Sequence, residues 1–321
     1  ADLYLGPIYT WGTIGGRTDF YMWKPVFLDY SYNFAVRNFR HGSFGNVTKI
    51  DNTRQVKNSE SFFSVAAGMP LAHRGVFLIR ANGGHVNYRY DSDELFADDT
   101  DHSRYSFFGI KAELARNTLD KFLYPRRGSD LKLSGIFVTG RDKYEPFDAE
   151  KFLSRTSRQW VGARLTWDKY FDMPGCSWFS LGLNVDGVIT NHPEFTTEGA
   201  TVMSMPAYEP VPHAQMIYMP DFRGKRFAAG GVMPTFDLMP NFFLRTGFYA
   251  MFREKRSFVP GVSGPVEDKR WHYIAEASLV YHTPIGPVSL ALTKYDLRNW
   301  KNMYLTFNFG YAIFAPKGTF Y

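Results

Sequence analysis

The sequence predicts an all-β fold, in which residues 1–321 form one antiparallel, up-and-down β-barrel that crosses a membrane. Three observations predict it: apolar and polar residues alternate, tight turns alternate with long polar connections, and charges fall on the faces opposite the apolar residues. Aromatic residues make up 18% of the chain and charged residues 21%, and alternation places both on the same strands. No run of about 18 apolar residues occurs, which excludes helical spans, and the single cysteine, Cys176, excludes a disulfide framework.

Residues 304–314 form the clearest strand. Apolar side chains at 305, 307, 309, 311 and 313 share one face, while Thr306, Asn308, Gly310 and Ala312 share the other. A period of two over this length indicates a β-strand with one apolar face.

Five earlier hairpins repeat this pattern, each closed by a short turn that contains Gly or Pro. They are 61–71 with 76–90, 106–115 with 131–140, 160–168 with 178–190, 227–238 with 242–253, and 273–282 with 288–293. The connections between hairpins are longer and more polar, and 191–226 is the longest. Short turns at one end and long loops at the other are typical of bacterial outer-membrane barrels. Strands near ten residues long suit a tilted membrane crossing.

Residues 1–60 are the least certain part of the barrel. We predict three strands there, at 3–11, 20–30 and 32–40, and we interpret the polar stretch 46–58 as a loop. The total is then about 12–14 strands.

Charged residues separate a membrane barrel from the alternative, a soluble β-sandwich. Seven of them lie on the polar faces of predicted strands: Lys111, Glu113, Arg164, Asp168, Asp186, Arg245 and Glu276. A sandwich would bury these charges in a packed core at a high cost. A barrel in lipid turns its apolar faces outward and its charges toward a hydrated interior, so the pattern favours the barrel. The basic residues in its loops suit a lipopolysaccharide surface.

Several short motifs occur in a recognisable order. A strand–turn signature comprises Arg116, Asn117, Thr118, Leu119, Tyr124, Pro125 and Gly128, and Phe222, Arg223 and Gly224 follow at the end of the longest loop. A hairpin at 279–288 carries a Pro-x-Gly-Pro turn. Together these segments resemble the BamA-like outer-membrane barrel superfamily over about residues 61–314.

The resemblance implies a barrel of sixteen strands, some of which are missing from or misread in the N-terminal part. It implies that the long loop folds inward and that an interior carboxylate holds Arg223. Met251 occupies the position of the family's usual acid, so the candidates are Asp186, Asp237 and Glu276. It also implies a closing strand that forms a seam, with Asn308, Gly310, Tyr311 and Phe314 as its candidate residues.

Residues 204–210, 222–223 and 228–231 further resemble the translocator barrel of patatin-like, type Vd secretion proteins. The implied function is to secrete or display an upstream lipase domain, a polypeptide passenger in cis. The implied partners are the lipid bilayer, lipopolysaccharide, the outer-membrane assembly machinery and other outer-membrane or lipoprotein subunits, with no nucleic acid. The implied location is the bacterial outer membrane.

The sequence contains little that predicts catalysis. It lacks the Gly-x-Ser-x-Gly motif of a patatin nucleophile, so we expect no enzymatic activity, catalytic residue, metal site or cofactor. Two other functions remain open: a porin-like channel, or an accessory barrel subunit of an outer-membrane complex. A barrel enzyme is a third, weaker alternative, because Ser278 and His282 share a face of one strand but are too far apart to bond directly.

Overall fold

A computed structural model describes residues 1–5, 9–21, 25–40, 55–91, 100–145, 154–173, 175–176, 178–196, 198–211, 214, 219–254, 270–284, 286–295, 303–310 and 317–319. Fourteen strands are described: β1 Asp2–Leu5, β2 Tyr9–Tyr21, β3 Pro25–Arg40, β4 Gln55–Leu71, β5 Gly75–Asp91, β6 Thr100–Asn117, β7 Gly128–Glu145, β8 Ser154–Asp172, β9 Phe179–Thr190, β10 Arg226–Met239, β11 Phe242–Arg253, β12 Trp271–Thr283, β13 Gly286–Tyr295 and β14 Met303–Phe309. One short helix, α1, covers Glu198–Ser204. No helix among these residues is long and apolar enough to cross a membrane.

The strands form one antiparallel sheet in which sequence order equals spatial order, from β1 to β14. This confirms the up-and-down topology and the positions of the eleven strands predicted from about residue 61 onward. Fourteen strands are described, so the sixteen that the resemblance implies are not reached within the described part of the chain.

The N-terminal prediction was wrong in its boundaries. One strand, β2, runs from the end of the first predicted strand to the start of the second, and β4 already begins at Gln55 inside the predicted loop. The glycines of β2 permit close pairing with β3. A Cβ at Gly15 would collide with the backbone oxygen of Tyr30 on that neighbouring strand.

The two ends of the sheet differ, as predicted. Each of the turns β4–β5, β8–β9, β10–β11 and β12–β13 spans six or fewer residues at one end, whereas β9 and β10 are joined at the other end by residues 191–225. We call these the short-turn end and the long-loop end.

The outward face of β6, β7 and β8 changes character along its length. Toward the short-turn end its large exposed residues are apolar, apart from Arg116 at the end of β6: Phe108, Ile110, Leu114, Leu131, Leu133, Phe137, Val161, Leu165 and Phe171. Toward the long-loop end they are polar: Arg104, Ser106, Arg141, Glu145, Arg155, Ser157 and Gln159. The strands β3–β8 contain 16–19 residues each rather than about ten, because they continue beyond the apolar part.

The opposite face of the sheet is concave and filled. The largest cluster of buried apolar residues joins strands from β4 to β13 with the loop that follows β9. The turn between β6 and β7 reaches across this space, where the Tyr124 hydroxyl donates to Ser289 Oγ on β13 at 2.9 Å. The sheet therefore curves around an interior, which the loop and this turn occupy.

Candidate functional site in the interior

The long loop 191–225 folds into the interior and contacts the inner wall. The Tyr208 hydroxyl donates to Asn184 Oδ1 on β9 at 2.7 Å, and Arg164 Nη2 on β8 donates to the carbonyl of Ala207 at 3.1 Å. Near the start of the loop, the ring of His192 packs 4.6 Å from that of Trp160. Burial lowers the pKa of His192 to about 3, so this imidazole is neutral at physiological pH. The loop thus lies inside the sheet, where the sequence predicted it.

The motif Phe222–Arg223–Gly224 belongs to a small hairpin within this loop. Ala207 and Arg223 form a β-bridge, and Gly224 N donates to the carbonyl of Pro206 at 3.1 Å. Phe222 packs edge-on against Tyr295 on β13, with ring centroids 6.1 Å apart. The aromatic side chain therefore fixes the motif against the wall.

Arg223 is held by its own loop rather than by the wall. Its Nη1 donates to the carbonyls of Met203 at 2.9 Å and Met205 at 3.2 Å, at the end of α1. Its nearest carboxylate is Glu209, with Nη2 and Oε1 4.0 Å apart. A carboxylate within the loop replaces the wall carboxylate that the resemblance implied.

The three predicted partners of Arg223 lie elsewhere. Asp186 pairs with Arg164 on the neighbouring strand at 2.6 Å, and Asp237 pairs with Arg126 of the β6–β7 turn at 2.6 Å. Glu276 accepts a hydrogen bond from Ser278 Oγ at 2.5 Å. Each carboxylate is engaged by a group on the wall or in a turn, which explains why the structure brings none of them to Arg223.

Residues 317–319, which we call the inner segment, occupy the interior beside the loop. Lys317 Nζ lies 2.9 Å from both carboxylate oxygens of Glu209. Gly318 N donates to Glu60 Oε2 on β4 at 3.0 Å, and Asn82 Nδ2 on β5 donates to the carbonyl of Gly318 at 2.9 Å. The inner segment therefore links the loop to the wall on β4 and β5. Sequence reasoning missed these contacts, because nothing local to Lys317 or Gly318 indicates distant partners.

The charges around the inner segment form a buried network. Glu60 Oε1 also accepts from Arg37 Nη1 at 2.5 Å, and a polar cavity of about 30 Å³ lies among Arg37, Glu209, Arg223 and Lys317. This volume suits about one water molecule.

The two charges of the Glu209–Lys317 pair respond differently to burial. Burial tends to raise the pKa of Glu209, but Lys317 and Arg223 outweigh it and hold that pKa below its ordinary value. For Lys317 burial outweighs the attraction of Glu209 and lowers the pKa to about 8. Both groups are therefore ionised at neutral pH, and the ammonium is the more weakly held charge.

The strand–turn signature builds the β6–β7 turn that crosses the interior at the short-turn end. Thr118 N donates to the carbonyl of Ser129 at 2.8 Å, and Leu119 N donates to Asn117 Oδ1 at 2.9 Å. Gly128 has a φ of +99°, which favours glycine.

Other residues of the signature differ in exposure. Tyr124 and Pro125 are buried, Leu119 packs against the central apolar cluster, and Arg116 is exposed near the end of β6. The signature thus specifies a folded turn that places Tyr124 in the interior.

Comparison with known proteins supports the fold that this geometry indicates. The structure matches the crystal structure of BamA from Haemophilus ducreyi lacking POTRA domains 1-3, with a TM-score of 0.60 and 12% sequence identity over 94% of this chain. This chain has the fold of the BamA barrel. It spans 61% of the length of that BamA chain. No protein-family model matches the chain, and no curated protein matches it.

The candidate seam of this BamA-like sheet lies at its two edge strands. Among the described strands, β1 pairs with β2 and β14 pairs with β13. Asn308 Nδ2 donates to Ser289 Oγ at 3.4 Å, and Gly310 N donates to the carbonyl of Pro287 at 2.8 Å. The described strand ends at Phe309, whereas Tyr311 and Phe314 lie outside the described residues. The predicted role of these four residues in a seam stays a prediction.

The interior shows charge pairing but no arrangement of metal ligands. Within the described ranges, no three His, Cys, Asp or Glu side chains are grouped as a metal site would need. In this BamA-like fold, the geometry is suited to holding chain segments inside a wall.

Proposed function

We propose that this chain is a bacterial outer-membrane β-barrel that assembles or translocates other polypeptides. The observation that carries the proposal is the outward face of β6–β8, where an apolar band is followed by a polar extension. On β8 the outward apolar residues run from Val161 to Phe171, which is about 33 Å along the strand. With the usual tilt of such strands this gives a height of about 25 Å, the height of the apolar band of outer-membrane barrels. Lys169 is the one cation among these outward residues of β8 and lies near the short-turn edge, with its ammonium 5.3 Å from the centroid of the Phe171 ring.

An insertion experiment tests the membrane location. Leu133 is 51% exposed within the apolar band, so Leu133→Arg is expected to cost about 2–4 kcal/mol on insertion and to lower the yield of refolding into lipid vesicles. Thr139→Arg lies six residues further along the same face, at the edge of the band beside Arg141, and serves as the matched control. Equal losses for both variants would contradict a lipid-facing band.

The filled interior favours assembly or translocation over the porin-like channel. A permanent pore needs an open interior, whereas here the loop, the β6–β7 turn and the inner segment occupy that space. We expect the purified chain to show little steady conductance in a planar bilayer. A large and permanent conductance would favour the channel instead.

The more specific form of the proposal is that the barrel secretes or displays an upstream patatin-like lipase and has no enzymatic activity itself. Its support is the resemblance of residues 204–210, 222–223 and 228–231 to the barrels of such proteins. A serine-reactive fluorophosphonate probe should label, in native membranes, a species that an antibody against this chain also detects and that exceeds 36.9 kDa. If the antibody detects the protein but the probe does not label it, the patatin-like passenger is excluded.

A further inference from the structure

A row of positive charges crosses the outward face of the sheet just beyond the apolar band. Arg104 on β6 is directly opposite Lys143 on β7, and Lys143 is directly opposite Arg155 on β8. Arg104 and Arg155 are exposed, and Lys143 keeps 36% of its side-chain surface accessible. Directly opposite side chains in a sheet have Cβ atoms about 4.5–5.5 Å apart, and like charges at that spacing destabilise the sheet.

The neighbouring rows strengthen the positive charge. Arg141 lies in the row nearer the apolar band, where its partners are Ser106 and Ser157. In the row on the other side, Lys57 is opposite Arg89. That row also contains Glu145, whose carboxylate contacts Lys143. Among the described residues of these three rows, Glu145 is the one carboxylate on the outward face, so the patch keeps a strong net positive charge.

The basic patch lies a short distance beyond the apolar band, toward the long-loop end. On β6 the outward residues proceed from Ile110 and Phe108 through Ser106 to Arg104, so the arginine lies four residues, or about 13 Å along the strand, beyond the last apolar side chain. With the usual strand tilt, the height above the band is about 10 Å. This is the outer level of the lipid headgroups, which add about 5–8 Å to each side of the hydrocarbon core. The patch lies on the side of the long loops, which in barrels of this kind is the extracellular side.

We propose that Arg104, Arg141, Lys143 and Arg155 form a binding site for the phosphate groups of lipopolysaccharide. This inference rests on the proposed outer-membrane location and names a specific surface of the barrel for that lipid. Phosphates supply the negative charge that the row lacks, and arginine binds phosphate through two parallel hydrogen bonds. The lipid would thereby relieve the repulsion between the opposed cations and fix one side of the wall against the outer leaflet.

A matched pair of double variants tests the site. Arg104→Ser with Arg155→Ser removes two cations of the row, whereas Lys121→Ser with Lys169→Ser removes two cations at the short-turn end. Both variants are refolded and inserted into vesicles of phosphatidylcholine. Binding of purified lipopolysaccharide is then measured by native mass spectrometry and by competition with phosphatidylglycerol and with inorganic phosphate. Each cation near a charged lipid surface contributes about 1 kcal/mol, so we expect the first variant to bind lipopolysaccharide more than tenfold more weakly and the control to bind as the original chain does.

Four outcomes would overturn the inference. Equal binding by both variants would exclude the row as the site. Equal affinity for phosphatidylglycerol and for lipopolysaccharide would exclude this lipid as the specific partner, and competition by millimolar inorganic phosphate would assign the site to a free anion.

The fourth concerns residues 92–99, which contain Asp93, Glu94, Asp98 and Asp99. If lipopolysaccharide binds only after these four are changed to Asn or Gln, the carboxylates of residues 92–99, and not lipid phosphates, occupy the basic site. Insertion into vesicles is recorded in the same samples. A chain that inserts but does not prefer lipopolysaccharide refutes this inference alone, whereas a chain that inserts into no bilayer refutes the proposed function.

Discussion

Glu209→Gln tests whether charge holds the inner segment in the interior. The substitution preserves size and one oxygen acceptor but leaves Lys317 and Arg223 without their carboxylate. Removing one partner of a buried ion pair costs about 3–5 kcal/mol. Glu209 and Lys317 keep 12% and 22% of their side-chain surface accessible, and Gln retains a hydrogen bond, so we expect about 2 kcal/mol. This corresponds to about a 30-fold increase in the population with the segment released.

A thiol introduced at Thr319 reports that release. Thr319 is 8% exposed, and Cys176 is the single native cysteine, so Thr319→Cys in a Cys176→Ser background gives one buried reporter. Its rate of maleimide labelling in the folded barrel should rise about 30-fold with Glu209→Gln. Asp221→Asn, which removes a 64% exposed carboxylate from the same loop, is the control and should leave the rate unchanged.

Two results would refute this reasoning. If Thr319→Cys reacts like a free thiol before Glu209 is changed, the inner segment is not in the interior. If the rate is the same with Glu209 and with Gln, while both proteins remain folded by their mobility on unheated gels, the ion pair does not hold the segment.

Three further predictions concern the long loop, the β6–β7 turn and the inner segment. Arg223→Lys should lower the free energy of unfolding, measured in urea, by about 1–2 kcal/mol, because an ammonium replaces the planar guanidinium that reaches two carbonyls. An unchanged free energy of unfolding would exclude this contribution of Arg223. Gly128→Ala should cost more than about 1 kcal/mol, because a Cβ at this positive φ would collide with the backbone oxygen of Thr118, whereas Gly135→Ala, where nothing lies within 4 Å, should not. Acid should release the inner segment. Because the pKa of Glu209 is held below its ordinary value, its contribution is complete above about pH 4.5 and is lost as pH falls through the lowered pKa. Hydrogen exchange of the inner segment, corrected for intrinsic rates, should therefore accelerate below pH 4.5, and a pH-independent protection would contradict this.

The sequence predicted the strands of the sheet better than it predicted the contacts of the segments in the interior. Strand alternation is local and repeats from residue to residue, so the strands from β4 to β14 could be found where they lie. The middle of β2 was missed, because residues 12–19 lack the alternation of apolar and polar side chains that marks the other strands. The contacts of Arg223 could not be found, because Glu209 and Asp186 are equally plausible partners in a sequence. Only the folded loop determines which carboxylate comes near.

The inner segment makes the completion of the interior depend on contacts between residues very distant in sequence. Gly318 donates to Glu60 across 258 positions of sequence, and Glu60 also balances the buried charge of Arg37. During synthesis, the strands that carry these two charges are made long before residues 317–319 exist. Contacts so distant in sequence form slowly, since a very long loop must close first. Until residues 317–319 have been made and have folded inward, Glu60 therefore lacks this partner and the interior side of β3 and β4 stays open to water.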